Sequence, residues 1–158
     1  MPGPTIEDAV ALAARAHRGQ TDKAGKPYIL HPLRLMLRFQ DEPARIVAVL
    51  HDILEDTAVT AAELRELGYS EEVLEALDAL TRRPSESYDE FIGRAGRIRL
   101  ARRVKLADLD DNLDASRLDA VGEDDRKRLA RYQAARQRLV SMEDGPTADP
   151  PSASPPRR

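Results

Sequence analysis

The residues able to do chemistry in this chain are few, and most of them fall in three short runs. There is no cysteine, so thiol nucleophiles, disulfides and cysteine-ligated zinc are excluded. The histidines are three, His17, His31 and His51. A lone histidine is commonly a satisfied core or surface residue, but His51 opens the run "HDILED" (51–56), directly after the apolar "RIVAVL". Read as one helix, adjacent side chains point about 100° apart, so His51 and Asp52 can reach one ion lying between them. Glu55 and Asp56 then follow one turn later, over His51 and Asp52. Acids at a helix C-terminus oppose its dipole, and a cation against this edge would offset that cost.

Two ligands hold a metal poorly, so the rest of the chain must supply more. "YILHP" places His31 just before Pro32, where the chain is biased away from helix and the side chain stands at a helix entry. "RRVKLADLDDNL" sets Asp108 in a mostly apolar run, and Asn112 one turn further on the same face. Asp108 reads as a ligand. Asp110, Asp111 and Asp114 read as a solvated acidic face, and the end of a helix is explanation enough for His17.

The elements that must position these residues are all helical. Thr5 caps a helix running to His17 and stopped by Gly19. "HPLRLMLRF" is a short second helix with Pro32 in its first turn, and Pro43 opens the third, "PARIVAVLHDILED". "TAAE" (60–63) and "SYDE" (87–90) are capping boxes. Gly68 ends one helix and Ser70 starts the next. "LARRVKLADLDDNL" and "EDDRKRLARYQAARQRLVSM" supply the last two. No alternating β-branched run and no internal repeat is present. The expected fold is an all-α bundle of about eight helices over residues 1–142. Residues 143–158, with five prolines among small polar residues, read as a disordered tail.

The 158 residues suffice for one domain with a sizeable core. No signal peptide and no apolar run of spanning length is visible, so a soluble, cytoplasmic protein without a membrane partner is expected. The 25 basic and 28 acidic residues give a net charge of −3 and no global reason to expect a nucleic-acid partner. The basic runs around 94–105 and 125–138 read as solvated helix faces. Oligomeric state is not legible.

The ordered set of a histidine before proline, HD-x-x-ED and a later LAD-x-x-x-N resembles the HD-domain metal phosphohydrolases. The closest likeness is to the hydrolase domain of the RelA/SpoT alarmone enzymes and their stand-alone small hydrolases, over roughly residues 5–142. The resemblance implies one divalent cation, most often Mn2+, held by His31, His51, Asp52 and Asp108, and mixed imidazole–carboxylate ligation suits such an ion. It implies that Glu55 and Asp56 orient the attacking water and shuttle a proton, that Lys23 contacts phosphate, and that Asn112 touches the nucleotide.

The implied activity is removal of the 3′-pyrophosphate from guanosine 3′,5′-bis(diphosphate), a guanosine polyphosphate. In a chain of this length no synthetase activity is expected. Three positions depart from that pattern: Asp22 stands where the family carries an arginine that stacks on guanine, Leu109 follows Asp108 where the family reads LADR, and Ala115 replaces a threonine. All three read as changes in substrate recognition. Hydrolysis of another nucleotide, a nucleoside tri-, di- or monophosphate, is therefore the alternative. A non-catalytic sensor is a weaker reading, because the metal set and the acidic pair are complete.

Overall fold

Helix starts in this chain are written in pairs of residues three apart, and the structure uses each pair as its chemistry requires. The structure, a computed structural model, describes residues 2–117 and 122–143, with side chains described through residue 114 and from 122. Thr5 and Asp8 close a capping box at the start of α1 (Ile6–Ala16). Thr60 with Glu63 opens α5 (Ala61–Glu66), and Ser87 with Glu90 opens α7 (Tyr88–Gly96). Ser70 accepts from the Val73 N–H ahead of α6 (Glu71–Ala79). Each such cap satisfies a backbone donor that the helix leaves orphaned, worth about 1 kcal/mol. Gly68 leaves α5 at φ +93°, a conformation that costs glycine little.

The other elements are α2 (Leu30–Leu37), α3 (Glu42–Leu50), α4 (Ile53–Asp56), α8 (Arg99–Arg117) and α9 (Glu123–Glu143). His31 lies inside the first turn of α2, one residue later than the entry position expected for it. A first-turn proline is tolerated because the N–H it lacks has no intrahelical partner there. Among the described residues the remaining regular structure is a single antiparallel bridge between Thr21 and Pro27, which closes the 19–29 loop. The tail expected over 143–158 lies, beyond Glu143, outside the described residues.

The third helix differs from expectation in a way that matters. The run "HDILED" does not finish α3. That helix stops at Leu50, and the His51 N–H makes only a long bond, 3.5 Å, to the Ala48 carbonyl. Asp52 adopts φ −102°, ψ 3°, and α4 begins after it as a separate turn. Nine helices among the described residues, instead of about eight, result from this break. Glu55 and Asp56 therefore sit in a separate single turn, and the clash between these acids and a long helix dipole does not arise.

α3 is the centre of the molecule. Ala44, Ile46, Val47, Ala48, Val49 and Leu50 are all buried, so the helix is apolar around its whole circumference. It packs against α1, α2, α6 and α8. A second, smaller core joins Phe91, Ile92 and Ala95 of α7, Leu109 of α8, and Ala135 and Leu139 of α9. α8 belongs to both cores: Val104 and Ala107 face the first, and Leu109 faces the second. Side chains between these two faces are thereby held where α2, α3 and α8 converge.

The basic runs of α8 and α9 are largely tied down. Arg103 pairs with Asp41, Arg136 with Asp110, and Arg138 with Asp89. They pin helices to one another across the surface, beyond the solvated faces expected of them.

Candidate metal centre and active site

His51 caps α3 with helical backbone angles, and its side chain is turned into the protein. His51 is buried, and its Nδ1 lies 2.8 Å from the Ala48 carbonyl oxygen. A carbonyl only accepts, so Nδ1 carries the proton and Nε2 presents a lone pair. That Nε2 is buried without a hydrogen-bond partner. It faces two carboxylates, with Asp52 Oδ2 at 3.0 Å and Asp108 Oδ1 at 3.6 Å. A nitrogen lone pair aimed at two carboxylate oxygens is an arrangement of acceptors that a cation resolves. His31, His51 and Asp52 each offer a ligand atom within 4.8 Å of the others. Asp108 joins them through His31 Nε2, 2.9 Å from its Oδ1. The donor set of two imidazoles and carboxylates fits a divalent transition ion, and this group of residues could hold a metal.

Four further groups hold the ligands. Asp108 Oδ2 accepts from the Lys105 ammonium at 2.7 Å, and Asn112 Nδ2 donates to Oδ1 at 3.0 Å. The Tyr28 hydroxyl donates to Asp52 Oδ2. Asp111, only 6% exposed, lies 2.6 Å from His31 Nδ1 and accepts from Arg34. The imidazoles of His31 and His51 meet edge to face at 5.1 Å.

The electrostatics follow from this packing. Burial opposes charge on His31, but the hydrogen bonds and negative charges of Asp108 and Asp111 outweigh it and hold the imidazole up at about 9. Burial also opposes charge on Asp108, yet the Lys105 ammonium and the two histidines keep it well below the usual carboxylate range. Asp52 moves the other way, pushed up by burial and then by the charge of Asp108. Burial would lower the Lys105 ammonium, but the Asp108 charge raises it. A divalent cation would take over the positive charge that His31 otherwise supplies, and its binding would release that proton.

Beside the buried cluster the surface turns acidic and open. Asp52, Glu55 and Asp56 offer carboxylate oxygens within 4.8 Å of one another, and Glu55 and Asp56 are exposed. Glu55 Oε1 accepts from the Arg82 N–H at 3.2 Å, which ties it to the loop after α6. The Asp56 carbonyl accepts from Gln20 Nε2 at 2.9 Å, joining α4 to the 19–29 loop.

No protein-family model matches the chain. Among curated proteins it is 32% identical over 145 residues to a GTP pyrophosphokinase of Myxococcus xanthus, covering 79% of this chain and 18% of that protein. It is 31% identical over 138 residues to the guanosine-3′,5′-bis(diphosphate) 3′-pyrophosphohydrolase of Aquifex aeolicus, covering 80% and 19%. The bifunctional (p)ppGpp synthase/hydrolase SpoT of Escherichia coli is 27% identical over 141 residues, covering 80% and 20%. The chain thus spans about a fifth of the length of these relatives. A solved structure of a metazoan ortholog of SpoT that hydrolyses ppGpp superposes with a TM-score of 0.72 at 24% identity, over 94% of this chain and 90% of that one.

The chain resembles the RelA/SpoT proteins in sequence and shares the fold of that SpoT ortholog.

Within this SpoT-like fold, His31, His51, Asp52 and Asp108 come together from α2, the α3–α4 break and α8, and Glu55 and Asp56 stand beside them. Asn112 is turned to Asp108, where it steadies a candidate ligand. Lys23 is exposed on the 19–29 loop.

Asp22 keeps its place on the 19–29 loop and also shapes it: its Oδ1 accepts from the Ala24 and Lys26 N–H groups, both at 2.9 Å. One expectation about the departures needs correction. Leu109 is fully buried in the second core and is packing, not recognition, because neighbouring residues on α8 point about 100° apart. The Ala115 side chain lies outside the described residues.

Asp111 was expected on a solvated face with Asp110 and Asp114, and this is the clearest miss. Asp114 is exposed and Asp110 pairs with Arg136 near the surface, but Asp111 is buried against His31. Its spacing of three from Asp108 carried the signal, since residues i and i+3 share a helix face. Tyr28 and Lys105 were likewise not read as partners of Asp52 and Asp108.

Among the described residues, no helix is long and apolar enough to cross a membrane.

Proposed function

We propose that this chain is a metal-dependent phosphohydrolase that removes the 3′-pyrophosphate of guanosine 3′,5′-bis(diphosphate), without synthetase activity. The observation that carries the reading is the orphaned Nε2 of His51, aimed at Asp52 and Asp108 and flanked by the exposed Glu55–Asp56 pair. His31, His51, Asp52 and Asp108 would hold the ion; their ligand chemistry accepts several divalent transition ions, and the resemblance favours Mn2+. When bound, such an ion stabilises charge on phosphoryl oxygens and makes hydroxide accessible at neutral pH.

The chain's own groups do the rest. Glu55, held by the Arg82 N–H, would take a proton from the attacking water. Asp56, its neighbour in the same turn, would pass a proton on toward the leaving group. Lys23, exposed on the loop, is suited to meet the polyphosphate. Relatives that act on guanosine polyphosphates support this substrate class, as does the SpoT-like fold. A cytoplasmic location, where such nucleotides are found, belongs to the same proposal.

The test is pyrophosphate release with added Mn2+ from guanosine 3′,5′-bis(diphosphate), run beside the common nucleoside tri-, di- and monophosphates. Pyrophosphate from the alarmone alone is the expected result. Release from other nucleotides with the alarmone untouched would overturn the substrate. A specific observation favours this second reading: Asp22 occupies the loop position of the family's guanine-stacking arginine and is committed to loop structure.

A further inference from the structure

We propose that Asp111, braced by Arg34, is a positioning residue that fixes His31 for metal binding. The proposal rests on the reading of His31 as a metal ligand. The two nitrogens of His31 meet two different carboxylates one turn apart on α8, with Nδ1 2.6 Å from Asp111 Oδ2 and Nε2 2.9 Å from Asp108 Oδ1. Nε2 is the His31 nitrogen on the side of the cluster, since it meets Asp108 Oδ1, the oxygen that His51 Nε2 also faces. Asp111 makes no contact with His51 or Asp52 and is not part of the ligand group. Its chemistry is to accept the Nδ1 proton, which leaves Nε2 as the nitrogen presented to the ion.

Asp111 is itself held. Arg34 donates from Nε and Nη2 to both of its oxygens at 3.0 Å, and Arg38 approaches to 3.8 Å. This fork-to-carboxylate geometry fixes the plane of the carboxylate as well as its charge. Arg34 lies one turn after His31 on α2, so one helix carries both the ligand and the brace while α8 carries the carboxylate between them. His51 reaches the same end differently, through the backbone carbonyl of Ala48. The centre thus has one imidazole fixed by the main chain and the other by an ion pair between helices. Outer partners of this kind commonly change metal affinity by about 10- to 100-fold.

The experiment measures Mn2+ affinity of the full chain by electron paramagnetic resonance, for wild type, His31→Ala, Asp111→Asn, Asp111→Ala and Arg34→Gln, with melting temperatures recorded alongside. Asp111→Ala is expected to weaken Mn2+ binding by about 10- to 100-fold in a folded chain, with Asp111→Asn and Arg34→Gln intermediate. Melting temperatures that fall while Mn2+ affinity stays at the wild-type value would make Asp111 a purely structural ion-pair residue and overturn the proposal. Wild-type affinity in His31→Ala would instead overturn the ligand reading on which the proposal stands, so the two failures are distinguishable.

Arg34 is half exposed, and its substitution keeps the question open to test if the Asp111 variants do not fold. A second readout needs no variant. In the Zn2+-loaded chain, long-range 1H–15N spectra should place the His31 proton on Nδ1, and a proton on Nε2 would overturn the proposal outright.

Discussion

His51 Nε2 and Asp52 Oδ2 face each other at 3.0 Å across the break between α3 and α4. Asp52 adopts φ −102°, ψ 3° at this break, and Glu55 and Asp56 follow in a new turn beside the pair.

Ligand and proton-transfer roles separate cleanly in two variants. Asp108→Asn keeps the shape and can still offer the Lys105 ammonium an amide oxygen, which alanine cannot. It should lose more than about 100-fold in Mn2+ affinity, beyond the effect of an outer partner. Glu55→Gln should keep wild-type Mn2+ affinity while kcat falls by about 10²- to 10⁴-fold. Titration calorimetry with Mn2+ and steady-state pyrophosphate release give both numbers. Normal Mn2+ binding by Asp108→Asn would remove Asp108 from the ligand set.

Asp22 is best probed by a change that preserves its loop. Asp22→Asn retains the Oδ1 acceptor for the Ala24 and Lys26 N–H groups and removes only the charge. A lower KM for guanosine 3′,5′-bis(diphosphate) at unchanged melting temperature is expected. Asp22→Arg forfeits both bonds, at about 1–3 kcal/mol in total, and should loosen the loop whatever it does for the base. An unchanged KM in Asp22→Asn would mean that the carboxylate does not meet the polyphosphate.

Leu109 offers a direct check on its placement in the core. Leu109→Arg would restore the arginine of the family's LADR, yet it forces a guanidinium into the packing of α7, α8 and α9. The chain should lose stability heavily, and Leu109→Ala alone should cost about 2–5 kcal/mol in urea unfolding. A Leu109→Arg protein as stable as wild type would contradict the burial of this side chain.

A pH dependence is expected at the loop that holds Glu55. Arg94 hydrogen-bonds Glu86 through Nε and Nη2 at 2.7 and 2.8 Å, and outweighs partial burial in holding the Glu86 carboxyl at about 2, below its ordinary value of 4.5. A carboxylate depressed by folding stabilises the chain above its unfolded pKa, and that contribution is lost as pH falls through the folded value. The melting-temperature gap between wild type and Glu86→Gln should therefore be full at pH 7, narrow below about 4.5 and close toward 2. A gap that holds constant from pH 7 to pH 2.5 would show that the charge on Glu86 contributes nothing.

Much of this molecule was legible along the chain because the relevant forces act between near neighbours. Thr5–Asp8, Thr60–Glu63 and Ser87–Glu90 are i, i+3 pairs, so the helix starts they make are local facts. The residues of the metal cluster were legible for another reason: histidines and acids set into apolar runs are costly unless something compensates them. What the order of residues left open was rotation and distance. Asp108, Leu109 and Asp111 stand within one turn of α8, yet one enters the cluster, one enters the second core and one braces His31 from 80 positions away. Their facing is set by where α2, α7 and α9 pack around α8. That is a balance of burial over the whole bundle, and no short stretch of sequence contains it.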